Sequence, residues 1–159
     1  MQRARQGGPA PDVLRVAVIS GPNLDRLGTR EPAIYGTATL DDVHRMVAEA
    51  ARAEGAEVVC RQSNHEGDLV SWIGRAREDG FAGVVLNAGA YTHTSIALLD
   101  AIKASGVPVV EVHLSNPEAR EPFRRRSRIA PACIAKVSGF GPRSYVLGLV
   151  GLVEHLRRA

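Results

Sequence analysis

Residues 14–20 read LRVAVIS, and a stretch of sixteen residues with three glycines and two prolines, GPNLDRLGTREPAIYG (21–36), follows at once. The first stretch is short, β-branched and almost continuously apolar, the pattern of a strand covered on both faces, as strands of parallel sheets are. The second is longer than a surface connection requires. Structureless loops beyond about 12–15 residues are usually functional or disordered.

Working outward, strand-like and helix-like segments alternate. TLDDVHRMVAEAARAEG (39–55) places Leu40, Val43, Met46, Val47 and Ala50 at helical spacing, with Thr39 and Asp42 as a capping pair and Gly55 as the stop. AEVVCRQ (56–62) reads as a strand. EGDLVSWIGRARED (66–79) reads as a helix with Leu69, Val70, Ile73 and Ala76 on one face, and AGVVLN (82–87) as the third strand. HTSIALLDAIKASG (93–106) sets Ile96, Leu99 and Ile102 on one stripe. PVVEVHLS (108–115) and ACIAKVSG (132–139) are the fourth and fifth strands, and a helix from about Arg143 to Leu156 closes the chain. Such alternation predicts an α/β fold: a flavodoxin-like, five-stranded parallel sheet with helices on both faces. Residues 14–159 read as a single catalytic domain and 1–13 as a flexible N-terminal lead-in, without the apolar stretch of a secretory signal.

With 159 residues, 45% apolar and 23% charged, the chain has the size and composition of one globular unit. Aromatic residues are only 4%, which argues against a stacking platform for single-stranded nucleic acid. The net charge of +3 comes largely from RRRSR (124–128) and the terminal arginine pair at 157–158, a bias suited to a small anionic ligand rather than a duplex. Cys60 and Cys133 fall in strand-like apolar runs and read as inert buried thiols, consistent with a reducing, cytoplasmic setting. The longest apolar run, YVLGLVGLV (145–153), is far below the ~20 residues of a membrane span, so no membrane partner is expected.

In open parallel sheets ligands bind beyond the carboxyl ends of the strands, where strand order reverses. The polar segments that follow the strands are GPNLDRLGTREPAIYG, SNHEG, NAGAYTHTS and HLSNPEAREPFRRRS. Within EVH (111–113), alternation puts Glu111 and His113 on one face, either a tautomer-fixed proton-transfer pair or a structural ion pair. NAGAYTHTS joins a strand-end Asn87 to His93 at a helix start, suited to an anion or hydroxyls, or merely to capping by Thr92 or Thr94. Asp100 faces away from the apolar stripe as a surface carboxylate. Arg120 and Arg124 can share a helical face if the turn survives Pro122, or belong to a solvated basic run. His65 reads as structural. The histidines lack metal-ligand spacing, and no GxGxxG, GxxxxGK[ST] or GxSxG motif is present. What remains is acid–base chemistry without metal or cofactor. A flavin-binding module is disfavoured, since only Tyr35 and Tyr91 could flank an isoalloxazine ring.

Together, GPNLDRLGTREPAIYG, RQSNHEGDLVSWI, LNAGAYTHTSIALLDAI and EVHLSNPEAREPFRRRS resemble, in order, the type II 3-dehydroquinate dehydratases of the shikimate pathway, from about Val16 to the final helix. The resemblance implies conversion of 3-dehydroquinate to 3-dehydroshikimate by anti elimination of water through an enolate, with no cofactor. It makes Tyr35 the base and Arg30 the cation that favours its phenolate; a free tyrosine titrates near about 10. It makes His113 the acid, Glu111 its partner, and Asn23 the residue stabilising the enolate through a water. Asn87, His93, Leu114, Ser115, Arg124 and the lid arginine Arg120 become substrate binders. Asp100 is implied to reach across a subunit boundary, in trimers that assemble into a dodecamer. Asp25, Arg26 and the RRRS string depart from the commoner family residues without removing a matched catalytic position. In this light Gly28 and Gly36 are expected to let a lid swing, and Pro32 to limit its paths.

Overall fold

The computed structural model describes residues 13–159; the expected lead-in therefore lies almost wholly outside the described residues. Five parallel strands form one sheet: β1 (Leu14–Ser20), β2 (Ala56–Gln62), β3 (Gly83–Asn87), β4 (Val109–His113) and β5 (Ala135–Ser138), in the order β2-β1-β3-β4-β5. This is the expected flavodoxin-like topology, with strand order reversing between β1 and β3. The helices are α1 (Pro32–Tyr35), α2 (Leu40–Ala53), α3 (Glu66–Gly74), α4 (Ile96–Ser105) and α5 (Arg143–Arg158).

Alternation along each strand divides the core in two. Val16, Val18, Val85, Val110 and Val112 pack with Val43 and Val47 of α2 and Leu149 and Leu152 of α5. Ala17, Ile19, Val84 and Leu86 pack on the other face with Leu69 and Ile73 of α3 and Leu98 and Ile102 of α4. Both faces of β1, β3 and β4 are thus covered, which is why their sequences are continuously apolar. The Thr39–Asp42 capping box forms as expected, through Asp42 N–H to Thr39 Oγ1 at 3.1 Å and Thr39 N–H to Asp42 Oδ2 at 2.9 Å.

Several details depart from the sequence expectation. α3 ends at Gly74, and turns carry the chain to residue 80. The stretch 93–106 is not one helix: a 3-10 turn spans Gly89–His93, Ser95 rather than Thr92 or Thr94 caps α4, and Leu98 N–H donates to its Oγ at 2.9 Å. Leu98, Ala101, Ile102 and Ser105 form the buried stripe of α4, whereas Ile96 is 60% exposed. The small residues at 101 and 105 are buried on a face that large-residue counting misses. β5 is only Ala135–Ser138, so Cys133 lies after the turn Ala130–Ala132 and not in a strand; Pro131 holds that turn. Both cysteines are free and half-buried; burial pushes Cys60 to about 11 and, with the Glu111 charge second, Cys133 to about 12. Thiols held this far up stay protonated near neutrality and are poor nucleophiles.

Candidate active site

The loops after β1, β3 and β4 meet above the reversal point. Gly21 permits this: its backbone passes so close to the β3 loop that a Cβ there would sit 2.6 Å from the Ala88 carbonyl oxygen. Gly21 N–H also donates to Asn87 O at 2.8 Å. Asn64, in the loop after β2, ties the same region together. Its Oδ1 accepts from Asn23 N–H at 2.9 Å and from Gln62 Nε2 at 3.1 Å, and its carbonyl accepts from the Tyr91 hydroxyl at 2.7 Å. Below, the Tyr145 hydroxyl and Ser20 Oγ share a fully buried hydrogen bond of 2.9 Å, and burial, against hydrogen bonds with Ser20 and Asn87, pushes the Tyr145 phenol up to about 12.

The resulting cleft is open to solvent, and its lining includes Asn23, Arg30, Tyr35, Asn87, His93, His113, Leu114, Ser115, Arg120 and Arg124. Of the residues singled out in the sequence, these ten share one cavity, and Glu111 lies directly behind it. Asp100 is the exception: it is exposed on α4 and does not line the cleft of its own chain.

On one side, Glu111 is fully buried and its Oε2 meets His113 Nε2 at 2.8 Å. Ser127 Oγ donates to Glu111 Oε1 at 2.5 Å, and Lys136 Nζ lies 3.7 Å from Oε2. Burial alone would raise the Glu111 carboxyl. Hydrogen bonds from His113 and Ser127, with the charges of His113 and Lys136, prevail and hold it below its usual value. The pair is therefore a carboxylate against an imidazole, leaving Nδ1 as the ring nitrogen not engaged by Glu111. A neutral ring donates Nε2–H to the carboxylate, and an imidazolium has a second proton on Nδ1 to give.

On the other side, Tyr35 ends the short helix α1, none of whose residues is buried. Arg120 Nη1 donates to the Tyr35 hydroxyl at 2.9 Å, while the Arg30 guanidinium stacks on the ring, 4.7 Å from its centroid. The contact to the phenol oxygen is thus made by Arg120, 85 positions away, not by neighbouring Arg30. Glu31 (φ 35°) and Gly36 (φ 80°) flank the helix, both in the left-handed region that a glutamate rarely occupies. Arg120 and Arg124 do not share a continuous helix, because separate 3-10 turns span Pro117–Ala119 and Pro122–Arg124; both nonetheless reach the cleft. Arg30 and Arg124 rest against Glu31 and Glu121 at 3.7 and 2.7 Å. His93 is oriented by a 2.9 Å hydrogen bond between Nδ1 and the Arg126 carbonyl.

Sequence reasoning missed Ser127, Lys136 and Asn64. Ser127 is a small residue at the end of an arginine run, and Lys136 meets Glu111 only through strand register, in which the two are direct partners. Among the described residues no three His, Cys, Asp or Glu side chains are grouped to hold a metal ion, and no helix is long and apolar enough to cross a membrane.

A sheet of this order, with a histidine–glutamate pair and a tyrosine–arginine pair lining one cleft at its reversal point, defines a flavodoxin-like α/β enzyme scaffold. Residues 14–153 match the family described as Dehydroquinase class II, and the chain belongs to that family. It is 61% identical over 137 residues to the 3-dehydroquinate dehydratase of Azorhizobium caulinodans, an alignment covering 86% of this chain and 92% of that protein. Type II dehydroquinase structures from Butyrivibrio crossotus and Propionibacterium acnes superpose with TM-scores of 0.85 and 0.84. The first is 40% identical and covers 88% of this chain and 97% of its own; the second is 39% identical, covering 90% and 99%.

Proposed function

We propose that this chain is a hydro-lyase of the shikimate pathway, a type II 3-dehydroquinate dehydratase, which removes water from 3-dehydroquinate by anti elimination through an enolate. The observation that carries the mechanism is the pairing of opposed functions in one cleft: a tyrosine hydroxyl held by Arg120, and a histidine backed by a buried carboxylate. Tyr35, as phenolate, takes the C2 proton, and the electron pair passes into the adjacent carbonyl as an enolate. Arg120 donates to the Tyr35 hydroxyl at 2.9 Å and the Arg30 guanidinium stacks on its ring, 4.7 Å from the centroid. Asn23 stabilises the enolate oxygen through a water. As the enolate collapses, His113 protonates the departing C1 hydroxyl, water leaves and a conjugated enone forms. Glu111 stabilises the imidazolium before that transfer.

Asn87, His93, Leu114, Ser115, Arg120 and Arg124 bind the hydroxyls and carboxylate of the substrate. Arg124, which rests against Glu121 at 2.7 Å, supplies a further contact to the substrate ring. The segment between Gly28 and Gly36 acts as a lid, and residues 14–159 form a single catalytic domain. Asp100 serves a neighbouring subunit within a homo-oligomer, a trimer that builds a dodecamer. Ile96, one helical turn before Asp100, leaves an apolar surface beside it that a second copy would cover. The expected location is the cytoplasm.

Purified protein without added metal or cofactor converts 3-dehydroquinate to a product with the ultraviolet absorbance of an enone. Chelator does not abolish this, and borohydride with substrate traps no adduct. Folded protein with no turnover overturns the reading. Tryptic cleavage within 26–36 slows on adding a substrate analogue; unchanged cleavage removes the lid from the account.

A further inference from the structure

We propose that Ser127 is a positioning residue for the acid pair, fixing the carboxylate of Glu111 so that its other oxygen is presented to His113. The inference rests on the reading of His113 as the acid. Glu111 has two oxygens and no exposure to water. His113 takes Oε2, and Ser127 takes Oε1 through the 2.5 Å hydrogen bond. Without Ser127, Oε1 would face the interior with no hydroxyl donor, and the carboxylate would be free to rotate away from the imidazole. Ser127 is itself immobilised: its Oγ accepts from Ala130 N–H at 3.0 Å, so its single hydroxyl proton is aimed at Glu111.

The residues on either side bind the same site. The Arg126 carbonyl meets His93 Nδ1 at 2.9 Å, and Arg128 N–H donates to Thr92 O at 2.8 Å. Residues 126–128 therefore stitch the arginine segment to the β3 loop and to the buried end of β4. Arg124, two positions upstream, lines the cleft. The substrate-binding segment and the acid are thus one connected unit.

The charged and titratable surroundings are few. Glu111 faces His113 from its own strand, Lys136 from β5 and the Cys133 thiol from the intervening segment. β3 presents apolar Leu86 in register with it, and α4 turns Leu98, Ala101 and Ile102 to that face. His113 shares the cleft with Arg30, Tyr35, His93, Arg120 and Arg124. Lys136 supplies charge from 3.7 Å, beyond hydrogen-bond distance, whereas Ser127 supplies direction.

The test measures kcat and KM from pH 4.5 to 9 for the native enzyme, Ser127→Ala, Ser127→Thr, Ser127→Cys and His113→Asn. Loss of a hydrogen bond to a buried charge lowers kcat of Ser127→Ala by about tenfold to a hundredfold, with KM nearly unchanged. The ratio of native to Ser127→Ala kcat grows as pH falls, because a carboxyl that has lost a donor protonates at higher pH. Ser127→Thr keeps the hydroxyl and restores kcat. Ser127→Cys, similar in volume but a weak donor, falls between and keeps the test decisive if the alanine variant does not fold. A Ser127→Ala kcat equal to native, a loss confined to KM, a pH-independent ratio, or a threonine variant no better than alanine overturns the proposal. If His113→Asn turns over at the native rate, the acid assignment itself fails. If that variant is inactive while Ser127→Ala is unaffected, only the role of Ser127 fails.

Discussion

Replacing Glu111 with glutamine tests the acid half of the cleft and the stability of the sheet together. The change preserves shape but removes a charge that three donors surround: His113 Nε2 at 2.8 Å, Ser127 Oγ at 2.5 Å and Lys136 Nζ at 3.7 Å. A hydrogen bond to a charged group contributes about 1.5–3 kcal/mol, so losing the one that supports an imidazolium lowers kcat by about tenfold to a hundredfold. The stability effect depends on pH, with a sign fixed by the direction of the Glu111 shift. Its folded carboxyl titrates below the ordinary value of 4.5, so its contribution to stability is fully present above that value. The contribution disappears as pH falls through the lower, folded value. Native enzyme is therefore more stable than Glu111→Gln at pH 7, and the gap narrows on acidification below about pH 4.5. Urea unfolding at pH 7, 5, 4 and 3, alongside the enone assay at pH 7, measures both effects. A gap that stays constant over that range, or a variant with native kcat, refutes the reasoning.

Three further outcomes follow from the same geometry. Tyr145→Phe leaves the buried Ser20 hydroxyl without its partner and costs about 1–3 kcal/mol; Ser20→Ala/Tyr145→Phe, which removes both groups, recovers part of that loss in a double-mutant cycle by urea unfolding. Gly21→Ala drives a Cβ to 2.6 Å from the Ala88 carbonyl oxygen and costs at least about 1–3 kcal/mol while raising KM; a variant with native Tm and KM would show that the loops yield freely. Asp100→Ala lowers activity although the residue lies outside its own chain's cleft, and light scattering finds assemblies larger than a monomer; native activity, or a monomer fully active on dilution, counters the shared-site reading.

The parts of the molecule legible in its sequence are those set by short-range periodicity. LRVAVIS, GVVLN and VVEVH announce buried parallel strands because both of their faces are covered, and period-two alternation alone brings Glu111 and His113 together. The stripe of α4 was less legible because Ala101 and Ser105 do the packing and Ile96 stays outside. Cys133 reads as part of a strand because apolar composition does not distinguish the turn at Ala130–Ala132 from β5. The family resemblance pairs Arg30 with Tyr35, and its guanidinium stacks on the ring; Arg120 reaches the phenol oxygen only after the β4 loop folds across the cleft, which no short-range pattern signals. Lys136 required the β4–β5 register, which no local pattern encodes.

The two halves of the cleft are anchored unequally. His113 and Glu111 belong to a strand whose every residue is buried, whereas Tyr35 rides on four residues of which none is buried, between two left-handed backbone positions. Local opening of the second therefore costs less free energy than opening of the first. A preparation can thus pass every spectroscopic check of folding while a fraction of its molecules hold the base out of place.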